Sequence, residues 1–301
     1  MSPVSGGNTI HLVLPALLAL MVAACSQAAS MNPQAAPAAQ CRVDGMLARL
    51  PAVREASGVA VSRRASDRFW THNDSGEPVL LMIDAGGAVT TRVQLTGATV
   101  VDWEAIAAGP CASGSCLYIG DIGDNNARRD QITIYRVTEP AGANASSATV
   151  EAFHGKYPDG AHDAETLLVT ADGGLYIVTK GSTGPVALYR FPRDVRAGAP
   201  AVQLERIGAP RSAGRVSNDE QLTDGAVSSD GARVVLRTHD SLFFYRSPQF
   251  FAGNWREDAR VNLEHVDEPQ GEGVAFGPGN AVYLVGEGGG AGTFVRLQCA
   301  G

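Results

Sequence analysis

The sequence predicts an all-β fold made of repeated four-stranded units, and three observations predict it. A pair of short apolar strands recurs along the chain, each pair opening on a small or acidic residue. A third strand follows every pair and a fourth follows most of them, with Gly, Asp and Pro at the turns. Successive units lie about 45 to 60 residues apart, which matches or slightly exceeds the spacing of propeller blades. Five units are expected to form a single β-propeller of five four-stranded blades. An open pair of β-sandwiches would use the same strands, and little helix is expected in either arrangement.

In the first unit Ser57–Val61 pairs with Arg68–Asp74, followed by Val79–Ile83 and Thr90–Leu95. The second pairs Glu104–Ala107 with Cys116–Asp121, then adds Ile132–Val137 and Ala148–Phe153. The third pairs Glu165–Val169 with Gly174–Lys180, then adds Ala187–Phe191 and Val202–Ile207. The fourth pairs Asp224–Ser228 with Arg233–His239, then adds Ser241–Tyr245 and Ala259–Glu264. The fifth pairs Glu272–Phe276 with Ala281–Glu287 and continues into Thr293–Leu297. Its fourth strand is expected from the other end of the domain, where Gln40–Met46 can lie beside Thr293–Cys299 and close the ring.

The cysteines fit that closure. Cys41 and Cys299 sit at the two ends of the folded region, and a bond between them would lock the first and last blades together. Cys111 and Cys116 flank Ala-Ser-Gly-Ser, so a hairpin can bring them into disulfide range. Four free buried thiols are the alternative. A zinc site is disfavoured because the sequence has no Cys-x-x-Cys pair.

Residues 12–24 form an apolar run of signal-peptide length, too short for a stable membrane-spanning helix. Val22-Ala23-Ala24-Cys25 follows and resembles the bacterial lipobox. The resemblance implies a signal peptide at 1–24 and an acylated Cys25 that anchors the protein in a lipid bilayer. Ser26, rather than Asp, follows the cysteine. By resemblance to the sorting rule of Gram-negative lipoproteins, the outer membrane facing the periplasm is expected. Residues 25–40 comprise the lipidated cysteine and a flexible tether, small, polar or Pro throughout. The propeller domain then occupies 41–301. A net charge of −7 and an isoelectric point near 5.4 argue against a nucleic-acid partner. A monomer is expected.

Propeller geometry gathers chemistry at one mouth of the central channel, where inner strands begin and second strands end. The inner-strand starts are Ser57, Glu104, Glu165, Asp224 and Glu272, with Asp102 and Asp163 two residues earlier. The second-strand ends bring Asn73, Asp74, Asp121, Asp124, Asn125, Lys180, His239, Asp240 and Glu287. Carboxylates crowded at a narrow channel raise one another's pKa unless protons or a cation relieve them. Hard oxygen ligands favour calcium or magnesium, and flexible six- to eight-fold coordination favours calcium. Glu104, Glu165, Asp224, Glu272, Asp121 and Asp124 are the candidate calcium ligands. Capping of strand ends is the alternative role for each acid.

The strand pair Glu272-Gly273-Val274-Ala275-Phe276 and Val282–Glu287 resembles the blade starts of calcium-dependent propellers. These include the β-propeller phytases and the gluconolactonase and paraoxonase group. Trp70–Gly76, Asp102–Ala107 and Gly120–Asn125 also resemble segments of a widespread group of secreted bacterial propellers. Two of the named groups usually have six blades, which makes six the alternative count.

Two classes of function follow. One is a calcium-dependent hydrolase of an anionic ester, such as a phosphoester, or of a lactone. There Glu104, Glu165 or Glu272 would act as general base. Lys180, His239, Arg128 and Asn73 would hold a small anionic ligand, with Arg129 nearby. The other is a non-catalytic propeller that binds a ligand or an envelope protein. The sequence has no Gly-x-Ser-x-Gly elbow, and its Gly-rich segment 286–292 lacks the Gly-Lys-Ser/Thr of a phosphate-binding loop.

Overall fold

The computed structural model describes residues 1–3, 6–7, 40–141, 146–209 and 214–300. The expected signal peptide, for the most part, Cys25 and the tether up to residue 39 lie outside the described residues. The compact unit Ala36–Gly301 holds the fold.

Five antiparallel sheets follow one another along the chain. Blade one runs from its inner strand Ala56–Val61 through Arg68–Asn73 and Val79–Asp84 to Val89–Thr96. Blade two uses Trp103–Cys111, Gly114–Asp121, Ile132–Thr138 and Glu151–Lys156. Blade three uses Ala164–Val169, Leu175–Thr179, Leu188–Arg190 and Glu205–Gly208. Blade four uses Asp224–Val227, Arg233–Arg237, Ser241–Arg246 and Ala259–Asn262. Blade five uses Gln270–Phe276, Ala281–Glu287 and Gly292–Cys299.

Side chains on a strand alternate between its two faces, so each blade can feed two apolar layers. Leu167 packs toward blade two and Leu168 toward blade four. Val234 packs toward blade three and Val235 toward blade five. The outcome is five apolar clusters, one in each cleft between neighbouring blades. The cleft between blades five and one holds Val59, Phe69, Tyr283 and Phe294, and it closes the ring. An open pair of sandwiches would leave two of these faces bare, so the five-bladed propeller is the fold. The inner strands meet backbone to backbone. A methyl on Gly273 would lie 2.9 Å from the Gly58 Cα, and one on Gly58 would lie 2.8 Å from the Ile106 nitrogen.

The closing strand is where the sequence placed it. Cys41–Val43 pairs antiparallel with Gly292–Cys299, with Cys41 opposite Cys299. Ala48–Leu50 adds to the same edge. The Cys41–Cys299 and Cys111–Cys116 disulfides are both present.

Two fourth strands depart from expectation. Ala148–Phe153 is not one strand: Ser147–Thr149 pairs in parallel with Val89–Thr96 of blade one, and Glu151–Lys156 completes blade two. Val202–Ile207 divides in the same way. Val202–Gln203 adds to blade two and Glu205–Gly208 completes blade three. Between the third and fourth strands of each of these blades, the chain touches the outer edge of the preceding blade before it completes its own.

Blades four and five are also joined by a buried ion pair. Arg237 and Glu268 meet at 2.6 Å with side chains 0% and 4% exposed. The other guanidinium nitrogen of Arg237 donates to the carbonyls of Gly273 (2.6 Å) and Val285 (2.9 Å).

Candidate functional site

The acid-bearing positions owe their orientation to β-bulges. In four blades the inner strand carries one extra residue against its partner, near its start. The slips lie between Ala56 and Gly58, Trp103 and Ala105, Ala164 and Thr166, and Gly271 and Val274. The residues within them are Ser57, Glu104, Glu165 and the pair Glu272–Gly273. A bulge breaks the alternation of faces and re-aims a side chain. Blade four has no slip there: Asp224 opposes Arg237 and Gly225 opposes Leu236. Its carboxylate stays within the wall, where Oδ2 accepts the Val274 amide at 2.8 Å and clamps blade four to blade five.

Glu104 stands in the resulting mouth, buried between the Ser57 hydroxyl and Gly123. Its Oε2 accepts the Ser57 hydroxyl at 3.0 Å. A methyl on Gly123 would lie 2.5 Å from both Glu104 Oε1 and Asp102 Oδ2, so only a glycine lets this loop approach the two carboxylates so closely. Burial, and then the charge of Asp102, push the Glu104 carboxyl up to about 8. Burial and Glu104 raise Glu165 well above the usual carboxylate range, and burial and Asp163 raise Asp102. Glu272 is raised chiefly by burial, although its Oε1 accepts a hydrogen bond from Gln270 at 2.6 Å.

One ammonium faces these acids. Lys180 donates to Glu165. Burial works against its charge, but Glu165, Asp163 and Glu104 together outweigh burial and hold it protonated. His239 shares the mouth, with Nδ1 2.9 Å from the Gly271 carbonyl. Glu287 reaches the same network through Gln270, at 2.6 Å.

Other expected site residues build the rim. Asp121 accepts the amides of Val101 and Asp102, at 3.2 Å each, and pairs with Arg129 at 2.8 Å. It thereby fixes the segment that carries Asp102. Asp124 accepts the amides of Arg128 and Arg129, at 2.7 Å each. Asn73 Oδ1 accepts the Glu55 amide at 3.0 Å. Arg128 is exposed, while Arg129 turns in and donates to the Gly123 carbonyl at 2.8 Å. Asp163 accepts the Asp124 amide and the Ser182 hydroxyl, which ties blade three to the Gly123 loop.

Asp102 and Asp163 carry more of the site than the candidate ligand set gave them. Their signal is a repeated Asp-x-Glu, Asp102-Trp103-Glu104 and Asp163-Ala164-Glu165, at the same point of two blades. The contribution of Gly123 had no signal in the sequence. Among the described residues, no three His, Cys, Asp or Glu side chains stand close enough together to hold a metal ion as placed. The opposite channel mouth has different chemistry. A cavity of about 350 Å³ opens there among Val59, Ile106, Val169, Ala226 and Phe276, and no acid lines it.

No protein-family model and no curated protein matches this sequence. Solved structures do resemble it. The soluble aldose sugar dehydrogenase of Escherichia coli, in its apo form, is 12% identical, over 86% of this chain and 99% of that chain, with a TM-score of 0.50. Virginiamycin B lyase from Staphylococcus aureus is 11% identical, over 86% of this chain and 99% of that one, with a TM-score of 0.47. A gluconolactonase from Xanthomonas campestris is 11% identical, over 80% and 72%, with a TM-score of 0.38. At these identities the likeness speaks for the propeller fold alone.

Proposed function

We propose that the acid mouth is an active site that hydrolyses an anionic ester or lactone in the cell envelope. The observation that carries this reading is Glu104, with its pKa raised to about 8, packed with Asp102 against Gly123 and next to Glu165 and Lys180. A group that titrates near the working pH both gives and takes a proton efficiently. Glu104 would move the proton between attacking water and leaving oxygen. Lys180 and Arg129 would orient the anionic part of the substrate.

Carboxylate oxygens are the hard donors that calcium prefers, but among the described residues no three acids of the mouth stand close enough together, as placed, to hold it.

The test is a panel of lactones and phosphomonoesters, each assayed with calcium and with chelator. Turnover is expected for at least one of them, and E104Q should lower it by roughly 10²–10⁴-fold with the fold intact. A ligand that raises the melting temperature without being turned over would replace the enzyme with a binding propeller.

The membrane anchor belongs to the same proposal and is supported by the lipobox at 22–25. Cys25→Ala should abolish lipid labelling and release the protein from membranes. A variant that still labels and fractionates with membranes would remove the anchor from the proposal.

A further inference from the structure

We infer that the propeller stands on an anionic lipid surface with the mouth opposite the acids, so that the acid mouth opens away from the bilayer. The inference rests on the reading of Cys25 as a lipid anchor, and it adds which face of the propeller that anchor leaves open.

The closing seam decides where the chain enters. Gly292–Cys299, the third strand of blade five, starts at the acid mouth and ends at the opposite one. Gln298, near its end, lies opposite Ala281, and its Nε2 donates to the Gly279 carbonyl at 2.7 Å. Gly279 sits in the turn whose Gly277 and Pro278 line the acid-free cavity. Cys41 is bonded to Cys299, and the Ala300 amide donates to the Gln40 carbonyl at 2.8 Å. The chain that leads from Cys25 therefore joins the propeller at the rim of the opposite mouth, and the disulfide fixes that point covalently. Fifteen residues separate Cys25 from Cys41, and a coil of that length reaches roughly 20 Å. The inner strand Gln270–Phe276 has 7 residues, which sets the two mouths about 20 Å apart. Turning the acid mouth to the bilayer would use the whole reach of the connection along the flank of blade five.

Charge selects the same face. Arg63 and Arg64, in the turn between the first two strands of blade one, are exposed there, as is Arg42 at the seam. Arg63 is the one charged residue among the described residues that line the cavity. Three acids of that face are already engaged. Asp67 pairs with Arg68, Asp172 pairs with Arg193, and Asp230 accepts the Ser228 hydroxyl and the Ala232 amide. The acid mouth instead exposes Glu77, Asp130 and Asp240 around its rim. Headgroup charge is felt within a Debye length, about 8 Å at physiological ionic strength. Arginines set against an anionic surface are attracted to it, and acids about 20 Å farther out are screened from it. In the inverted pose the acids would face the headgroups and be repelled. The acid mouth therefore takes a substrate dissolved in the surrounding compartment, not a lipid of the anchoring bilayer.

Full-length lipidated protein reconstituted on vesicles of phosphatidylethanolamine and phosphatidylglycerol tests this, with a dye attached through S229C or through N126C. Ser229 is exposed at the opposite mouth and Asn126 at the acid mouth. Flotation with the vesicles reads the anchor, and quenching by nitroxides on the lipid headgroups reads the orientation. Quenching at position 229 should exceed that at position 126 by roughly threefold or more, and R63E/R64E or high salt should about halve it. Equal quenching at the two positions, stronger quenching at 126, or none at either in protein that floats would keep the anchor and overturn the inference. Protein that does not float would remove the anchor and the inference with it. Quenching at 229 that neither the double variant nor salt lowers would overturn the attraction to anionic lipid.

Discussion

Replacing Glu104 with glutamine is expected to stabilise the protein at pH 9 and to change little at pH 5, when both are measured in chelator. The folded protein holds the Glu104 proton up to about pH 8, whereas a free glutamic acid releases it near 4.5. The folded state therefore binds more protons than the unfolded state between those values. Stability from this group is fully present below 4.5 and is lost as pH rises through 8. A tenfold difference in proton affinity between the two states is worth about 1.4 kcal/mol, so the loss approaches about 5 kcal/mol by pH 9. Glutamine keeps the shape and can still accept the Ser57 hydroxyl, but it has no charge to bury. Urea denaturation at the two pH values would read the difference directly. At roughly 2–4 °C per kcal/mol the melting temperature of the variant should exceed that of wild type by about 10–20 °C at pH 9. Parallel pH profiles for the two proteins would mean that Glu104 is not the strained acid of the mouth.

Removing the Cys41–Cys299 bond is expected to cost at least as much. The bond joins residues 258 apart, and the loop-entropy relation assigns such a closure about 5.6 kcal/mol. The Cys111–Cys116 bond spans only five residues and is worth about 2 kcal/mol on the same relation. The ring adds a mechanical reason for the ranking. Cys41–Val43 is the outer strand of blade five, held by three residue pairs with Gly292–Cys299. Without the bond that short strand can fray, and the seam between blades five and one loses its outer support. The double variant C41A/C299A should melt about 10–20 °C below wild type, and C111A/C116A should fall by less. A C41A/C299A protein that melts within a degree or two of wild type would show that strand pairing alone closes the ring.

Much of this architecture is legible along the chain. Alternation of apolar residues marks the strands because neighbouring side chains on a strand point to opposite faces. The regular spacing of the units marks the blades, and cysteines at the two ends of the folded region mark the seam. Acids at the inner-strand starts mark one mouth as polar. These signals are local or periodic, so they survive in one dimension. Sheet membership does not. The residues of Ser147–Thr149 read as a strand in any register, and only the packed edge of blade one decides that they pair there instead of within blade two. The site divides along the same line. Glu104, Glu165 and Glu272 were visible as residue types at repeated positions, whereas the bulges that aim them depend on how each strand pairs with its neighbour. Asp224 matches the pattern yet serves as a clamp, because its blade pairs without a slip. The close approach of Gly123 to Asp102 and Glu104, the inward turn of Arg129 and the meeting of Lys180 with Glu165 came from the tertiary structure alone. Each depends on distances of a few ångströms between separate segments, and the closing of the ring sets those distances.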